Sequence, residues 1–204
     1  MDSFSDKAWE IFNQAIFDFH QTDHVDAAEA NPYASGTLEQ ILYAKNWIDT
    51  IQWHLEDIIR DENIAPADAL QIKRRIDASN QKRTDLVEDL DFWFLQQTSK
   101  IVPHTGARIN TETPAWAVDR LSILALKIYH MAIEAGRESA DDAHRRKCSE
   151  KLAVLEEQKK DLSKAIDDLL ADIANGNVKM KLYKQMKMYN DESLNPILYQ
   201  NAKK

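Results

Sequence analysis

The chain has 204 residues, enough for one domain with a sizeable core, and 44% of them are hydrophobic, which excludes a disordered polymer. Its formal charge is −8, the opposite of what a general nucleic-acid or anionic-membrane binder needs. Only 4 glycines and 5 prolines occur, which favours helices over turn-rich sheets, and Cys148, the only cysteine, excludes an intrachain disulfide and a cysteine-rich zinc site.

The acidic opening MDSFSDKAWE lacks a basic region followed by an apolar run, so no signal peptide is expected. No stretch reaches 18 consecutive apolar residues, and a cytoplasmic protein without a membrane span is expected. Charge is uneven: residues 1–100 carry −10 and the remainder +2.

A first helix is predicted over residues 5–19, with Ala8, Ile11, Phe12, Ala15, Ile16 and Phe19 on one side. Residues 21–36 read as a loop. His20, Asp23, His24 and Asp26 cluster there; they offer metal-ligating atoms, but their spacing matches no standard site and a solvated loop explains them. A second helix opens on the capping pair Thr37 and Gln40 and runs to about residue 60. Its stripe is Ile41, Ala44, Ile48, Ile51, Leu55, Ile58 and Ile59, with Asp49, Gln52 and Glu56 along one shoulder. Leu42 and Trp53 make the far side apolar too, which predicts a central helix or an oligomer interface.

Pro66 starts a third helix, predicted to about residue 97, with Ala69, Ile72, Ile76, Val87, Leu90 and Phe94 in its stripe. Asn80 and Arg83 interrupt that stripe, and Glu88 borders it. Residues 98–112 form a second long internal loop. A fourth helix, 114–135, is set by Thr113 and Pro114 and carries Trp116, Asp119, Arg120, Lys127 and His130. Stepping about 100° per residue from Arg120 puts Leu124, Met131 and Lys127 within about 40° of it. Arg120 and Lys127 are therefore expected inside an apolar face, where a charge must be paired or hold a ligand.

A fifth helix is predicted over 139–174, with Cys148 as a small core residue on its stripe. A short basic helix is expected over 178–189 to cap the bundle. The expected architecture is one all-α domain over 1–204: an antiparallel bundle of five long helices plus a short C-terminal one.

No phosphate loop, dinucleotide fingerprint, His-Glu-x-x-His, Cys-x-x-Cys, Gly-x-Ser-x-Gly or Glu-x-x-His motif occurs. Four blocks nonetheless carry a resemblance: NWIDTIQWHLEDIIRD at 46–61, RRIDASNQKRTDLVEDLD at 74–91, NTETPAWAVDRLSILALKIYHM at 110–131 and YKQMKMYNDESLNP at 183–196. Together they resemble an uncharacterised bacterial, all-helical domain-of-unknown-function family. That resemblance implies a cytosolic protein encoded near glycosyltransferases for cell-surface polysaccharide or lipopolysaccharide, and it assigns no role to any residue.

Two functional expectations follow. In the first, Asn80, Arg83, Trp116, Arg120 and Lys127 bind a small anionic metabolite such as a sugar phosphate or nucleotide sugar, with Asp49, Glu56, Glu88 or His130 available to move protons. Carboxylates holding Mg²⁺ would make a phosphoanhydride hydrolase of the same site. In the second, Arg83 and Arg120 pair with Asp49, Glu56 or Glu88, and the network fixes helix register in a non-enzymatic interaction protein, with a homo-oligomer as one form it can take.

Overall fold

Four of the five long helices begin on a side chain that accepts a hydrogen bond from a first-turn backbone N–H: Ser3, Thr37, Thr113 and Asp141. The remaining one begins on Pro66, whose missing N–H costs nothing at that position. In the computed structural model, which describes residues 3–186 and 193–201, the helices are α1 (Phe4–Thr22), α2 (Leu38–Ile58), α3 (Pro66–Thr98), α4 (Pro114–Gly136), α5 (Asp142–Ala174) and the short α6 (Pro196–Asn201). They form an all-helical bundle. α4 lies along α5, while α2 is central and packs against α1, α3 and α4. Among the described residues no helix is long and apolar enough to cross a membrane.

The main core joins Phe12, Ile16 and Phe19 of α1 to Leu42, Tyr43 and Trp47 of α2, Val87 and Leu90 of α3, and Val118 and Leu121 of α4. Every residue from Leu42 to Thr50 is buried, so α2 is enclosed on all sides through its middle turns. The two-sided apolar pattern anticipated that enclosure.

Three expectations are corrected. α1 runs one turn further than the apolar stripe, so His20 is helical and not part of a loop. The stretch 178–186 is not helical; Val178 instead forms a parallel bridge with Arg108, and 187–189 lie outside the described residues. That bridge pins the long loop before α4 to the end of α5, helped by a hydrogen bond from the His104 N–H to the Gly176 carbonyl at 2.9 Å. Gly176 has φ +74°, and a Cβ there would stand 3.1 Å from the Val102 carbonyl oxygen, so the contact needs glycine.

The third correction concerns α4. Its buried face centres on Val118, with Ala115, Leu121, Ser122 and Ala125 close beside it and Leu124 and Leu126 at its margins, while Ile128 and Met131 are only half-buried. Measured from Val118 at about 100° per residue, Arg120 and Lys127 fall at about 160–180°, on the solvent side. Both are exposed, and Arg120 pairs with Glu112 at 2.5 Å. The helix is apolar over most of its circumference. Neighbouring helices α5, α1 and α2 cover a wide arc of α4, and that arc stops short of Arg120 and Lys127.

Candidate metal centre

Two polar clusters lie within the bundle. The first centres on Lys45, whose side chain is 0% exposed. Its ammonium pairs with Asp49 one turn on along α2 and with Asp119 of α4 at 2.7 Å. Arg83 of α3 pairs with Asp49 as well and approaches Asp119 at 3.4 Å. Burial weighs against the charged guanidinium, but Asp49 and Asp119 outweigh it, and Arg83 is held more firmly protonated than usual. Ser122 donates to Asp49 at 2.6 Å, and Asn46 donates to the Ser122 hydroxyl at 3.0 Å. Two cations face two carboxylates, and each charge has a partner. Lys45 was not singled out from the sequence.

The second cluster draws His20 from α1, His54 from α2 and His130 from α4. One ring nitrogen from each lies within 4.8 Å of the others. His20 Nδ1 donates to the Ile16 carbonyl at 2.7 Å, which fixes that tautomer and leaves Nε2 with its lone pair directed at the cluster. His54 Nε2 is 3.4 Å away. His130 Nε2 is buried with no hydrogen-bond partner. Aromatic rings set the orientations: Trp53 stacks on His130 at 4.7 Å and 6°, and Phe19 stacks on His54 at 5.2 Å.

Electrostatics keeps two of these rings neutral near pH 7. Burial, then the neighbouring His20 and His54, pushes His130 down to about 4. Burial and His20 lower His54 in the same way. Neutral imidazoles are the ligating form, and a tautomer shift frees a ring nitrogen for a metal, so the cluster is capable of coordinating a metal ion. A tetrahedral ion with bonds of about 2.0–2.1 Å needs nitrogens roughly 3.3–3.4 Å apart. The His20–His54 pair already has that spacing, and closing the third ring in takes a shift on the order of 1 Å.

Asp23 supplies an acidic neighbour. Its Oδ1 is 3.7 Å from His54 Nε2 and 3.9 Å from His20 Nε2. It terminates α1 with φ 48°, the only non-glycine residue among those described with positive φ. The cluster expected in the loop is thus divided: His20 and Asp23 face the histidines, while His24 and Asp26 are exposed and close a local turn of their own. His54 was not singled out from the sequence; its signal was only an imidazole on the flank of a helix already judged central.

The remaining candidates are dispersed. Asp49 belongs to the Lys45 cluster, Glu56 pairs with Arg60 at 3.3 Å, and Glu88 accepts from the Gln185 N–H at 3.4 Å. Asn80, Arg83 and Trp116 line one cleft of about 260 Å³ together with Asp119. Asn80 accepts from Gln52 at 2.8 Å there. Arg120 and Lys127 are not part of that cleft, so the five expected ligand residues do not converge. Cys148 is buried on α5, with its sulfur 3.4 Å from His144 Nε2. That same nitrogen meets Glu134 at 2.9 Å, so it cannot relay a proton between the two.

The fold and this geometry define an all-helical bundle with a three-histidine centre shared by α1, α2 and α4. The chain belongs to the family described as protein of unknown function (DUF4254), whose sequence pattern matches residues 39–182. His54 and His130 lie inside the matched segment and His20 and Asp23 before it. No curated protein and no solved structure matches the chain.

Proposed function

We propose that the protein is a metal-binding protein that holds one divalent transition-metal ion on His20, His54 and His130. The observation that carries this reading is the buried Nε2 of His130, a ring nitrogen without a hydrogen-bond partner on one of three imidazoles whose ligating nitrogens lie within 4.8 Å of one another. Nitrogen donors suit Zn²⁺ and its neighbours, whereas Mg²⁺ prefers oxygen, so zinc-type binding replaces the Mg²⁺ expected from carboxylates. Asp49 gives Mg²⁺ little to bind, since Lys45, Arg83 and Ser122 already use its oxygens. With three histidines the fourth position takes either the Asp23 carboxylate or a water, and a water there would be acidified toward neutrality for hydrolysis.

Calorimetric titration of tag-free protein with Zn²⁺ tests this. One ion per chain is expected, and Co²⁺ should give the visible bands of a tetrahedral site. His130→Ala should remove both signals while leaving the helical circular dichroism unchanged. Binding that survives this variant would overturn the assignment.

A second reading, a sugar phosphate or nucleotide sugar, draws on the cleft that Asn80, Arg83 and Trp116 share. It is weaker because Asp49 and Asp119 already neutralise Arg83. A melting shift with sugar nucleotides, lost in Trp116→Ala, would restore it.

A further inference from the structure

The surface between α4 and α5 carries a second site, which shares only His130 with the proposed metal ligands. A groove of about 540 Å³ runs there, within the roughly 300–1,000 Å³ of small-molecule sites. Its floor is apolar: Trp53 from α2, Met131 from α4, and Val154 and Leu155 from α5. Val154 is 58% exposed in this groove, whereas Ile166, Leu169 and Ile173 of the same helix are buried. An exposed apolar channel of this kind marks a surface that something covers.

The charges bordering the groove say what would. Lys127 and Lys151 are both exposed on its sides and make no ion pair among the described residues. The carboxylate in the wall, Glu134, is already committed to Arg137 at 3.0 Å and His144 at 2.9 Å. The groove therefore offers a greasy channel and two free cations with no free anion. Its eight lining residues are far fewer than the roughly 20–30 per side of a stable dimer, which argues against a second copy as occupant.

We infer that this groove binds a small amphipathic anion, an alkyl chain lying on Met131, Val154 and Leu155 with its single acidic head held by Lys127 and Lys151. The stacked pair His130 and Trp53 closes one wall. His130 lines the groove as well as belonging to the histidine cluster, but the chain and head-group contacts assigned here do not use it.

The test is calorimetric titration of tag-free protein in EDTA with dodecanoate, dodecyl phosphate and dodecyltrimethylammonium, each below its micelle concentration. Either anion should bind at one per chain, the tighter of the two identifying the head group, and the cation of equal chain length should bind about tenfold more weakly or worse. The double variant Lys127→Glu with Lys151→Glu changes only exposed side chains and should invert that preference. Val154→Asp should weaken all three ligands. Equal affinity for anion and cation, or a charge reversal without effect, would overturn the proposal. So would a Val154→Asp variant that turns a dimer into a monomer on size exclusion, since a second copy would then be the occupant. EDTA makes the result independent of the metal: groove binding with no zinc site, or the reverse, separates the two claims.

Discussion

The two polar clusters differ in how completely they satisfy themselves. Around Lys45, two cations meet two carboxylates and a hydroxyl, and the charges close within the protein. Around His130, three imidazoles gather ring nitrogens, and the His130 Nε2 is left without any hydrogen-bond partner. Both clusters tie α2 to α4. A closed set of charges fixes how helices dock, while an open set of lone pairs is stabilised only by something added. The Lys45 cluster therefore reads as structure and the histidines as function.

That contrast can be broken experimentally. The largest effect is expected at Lys45. Lys45→Met leaves Asp49 and Asp119 sharing Arg83 alone, and should cost about 3–5 kcal/mol in urea unfolding, with or without metal. Stability unchanged by this substitution would remove the distinction between the clusters.

At the histidines the effect should depend on metal. Zn²⁺ at one hundred times its dissociation constant should add about 2.7 kcal/mol to wild-type stability and nothing to His54→Ala or His130→Ala. Asp23→Asn should weaken zinc by a factor on the order of 10 if the carboxylate ligates or orients, and not at all if it is only a helix terminator.

A third buried group lies outside both clusters. Asp91 of α3 is buried with one oxygen unpartnered. Burial raises it to about 6, Thr113 opposes by hydrogen bonding, and Glu88 adds to the rise. A carboxyl raised in the folded state holds its proton longer than in the unfolded chain, so its contribution to stability falls as pH rises from about 4 through 6. Asp91→Asn should therefore gain about 1–2 kcal/mol at pH 8 and little at pH 3.5, read from melts at both. The smallest effect is expected at Arg120. Arg120→Met removes only an exposed pair with Glu112 and should change stability by less than about 1 kcal/mol.

Much of the fold was legible. Thr37 and Thr113 act as the helix starts their chemistry suggests, and α3 begins at Pro66. The site was legible only in parts. His130 stood out as a candidate and His20 as a doubtful loop ligand, yet nothing linked them, because their partner His54 is 34 positions from His20. The misreading of α4 has a related cause. On a helix apolar over most of its circumference, periodicity does not say where the covered arc ends, and here it ends between Leu124, which is buried, and Arg120, which is not.

The sequence by itself determined the class of fold: helix-forming composition, few breakers and well-placed caps leave an all-helical bundle as the consistent outcome. It also set the enclosure of α2, since two apolar sides must both be covered. Only the tertiary structure decided which charges are buried and which imidazoles meet. Lys45 and Arg120 are both basic residues on partly apolar helices. Helix docking alone placed one at zero exposure between two carboxylates and left the other in solvent. Contacts between residues far apart in the chain depend on helix rotation and register, which local periodicity specifies too loosely to predict.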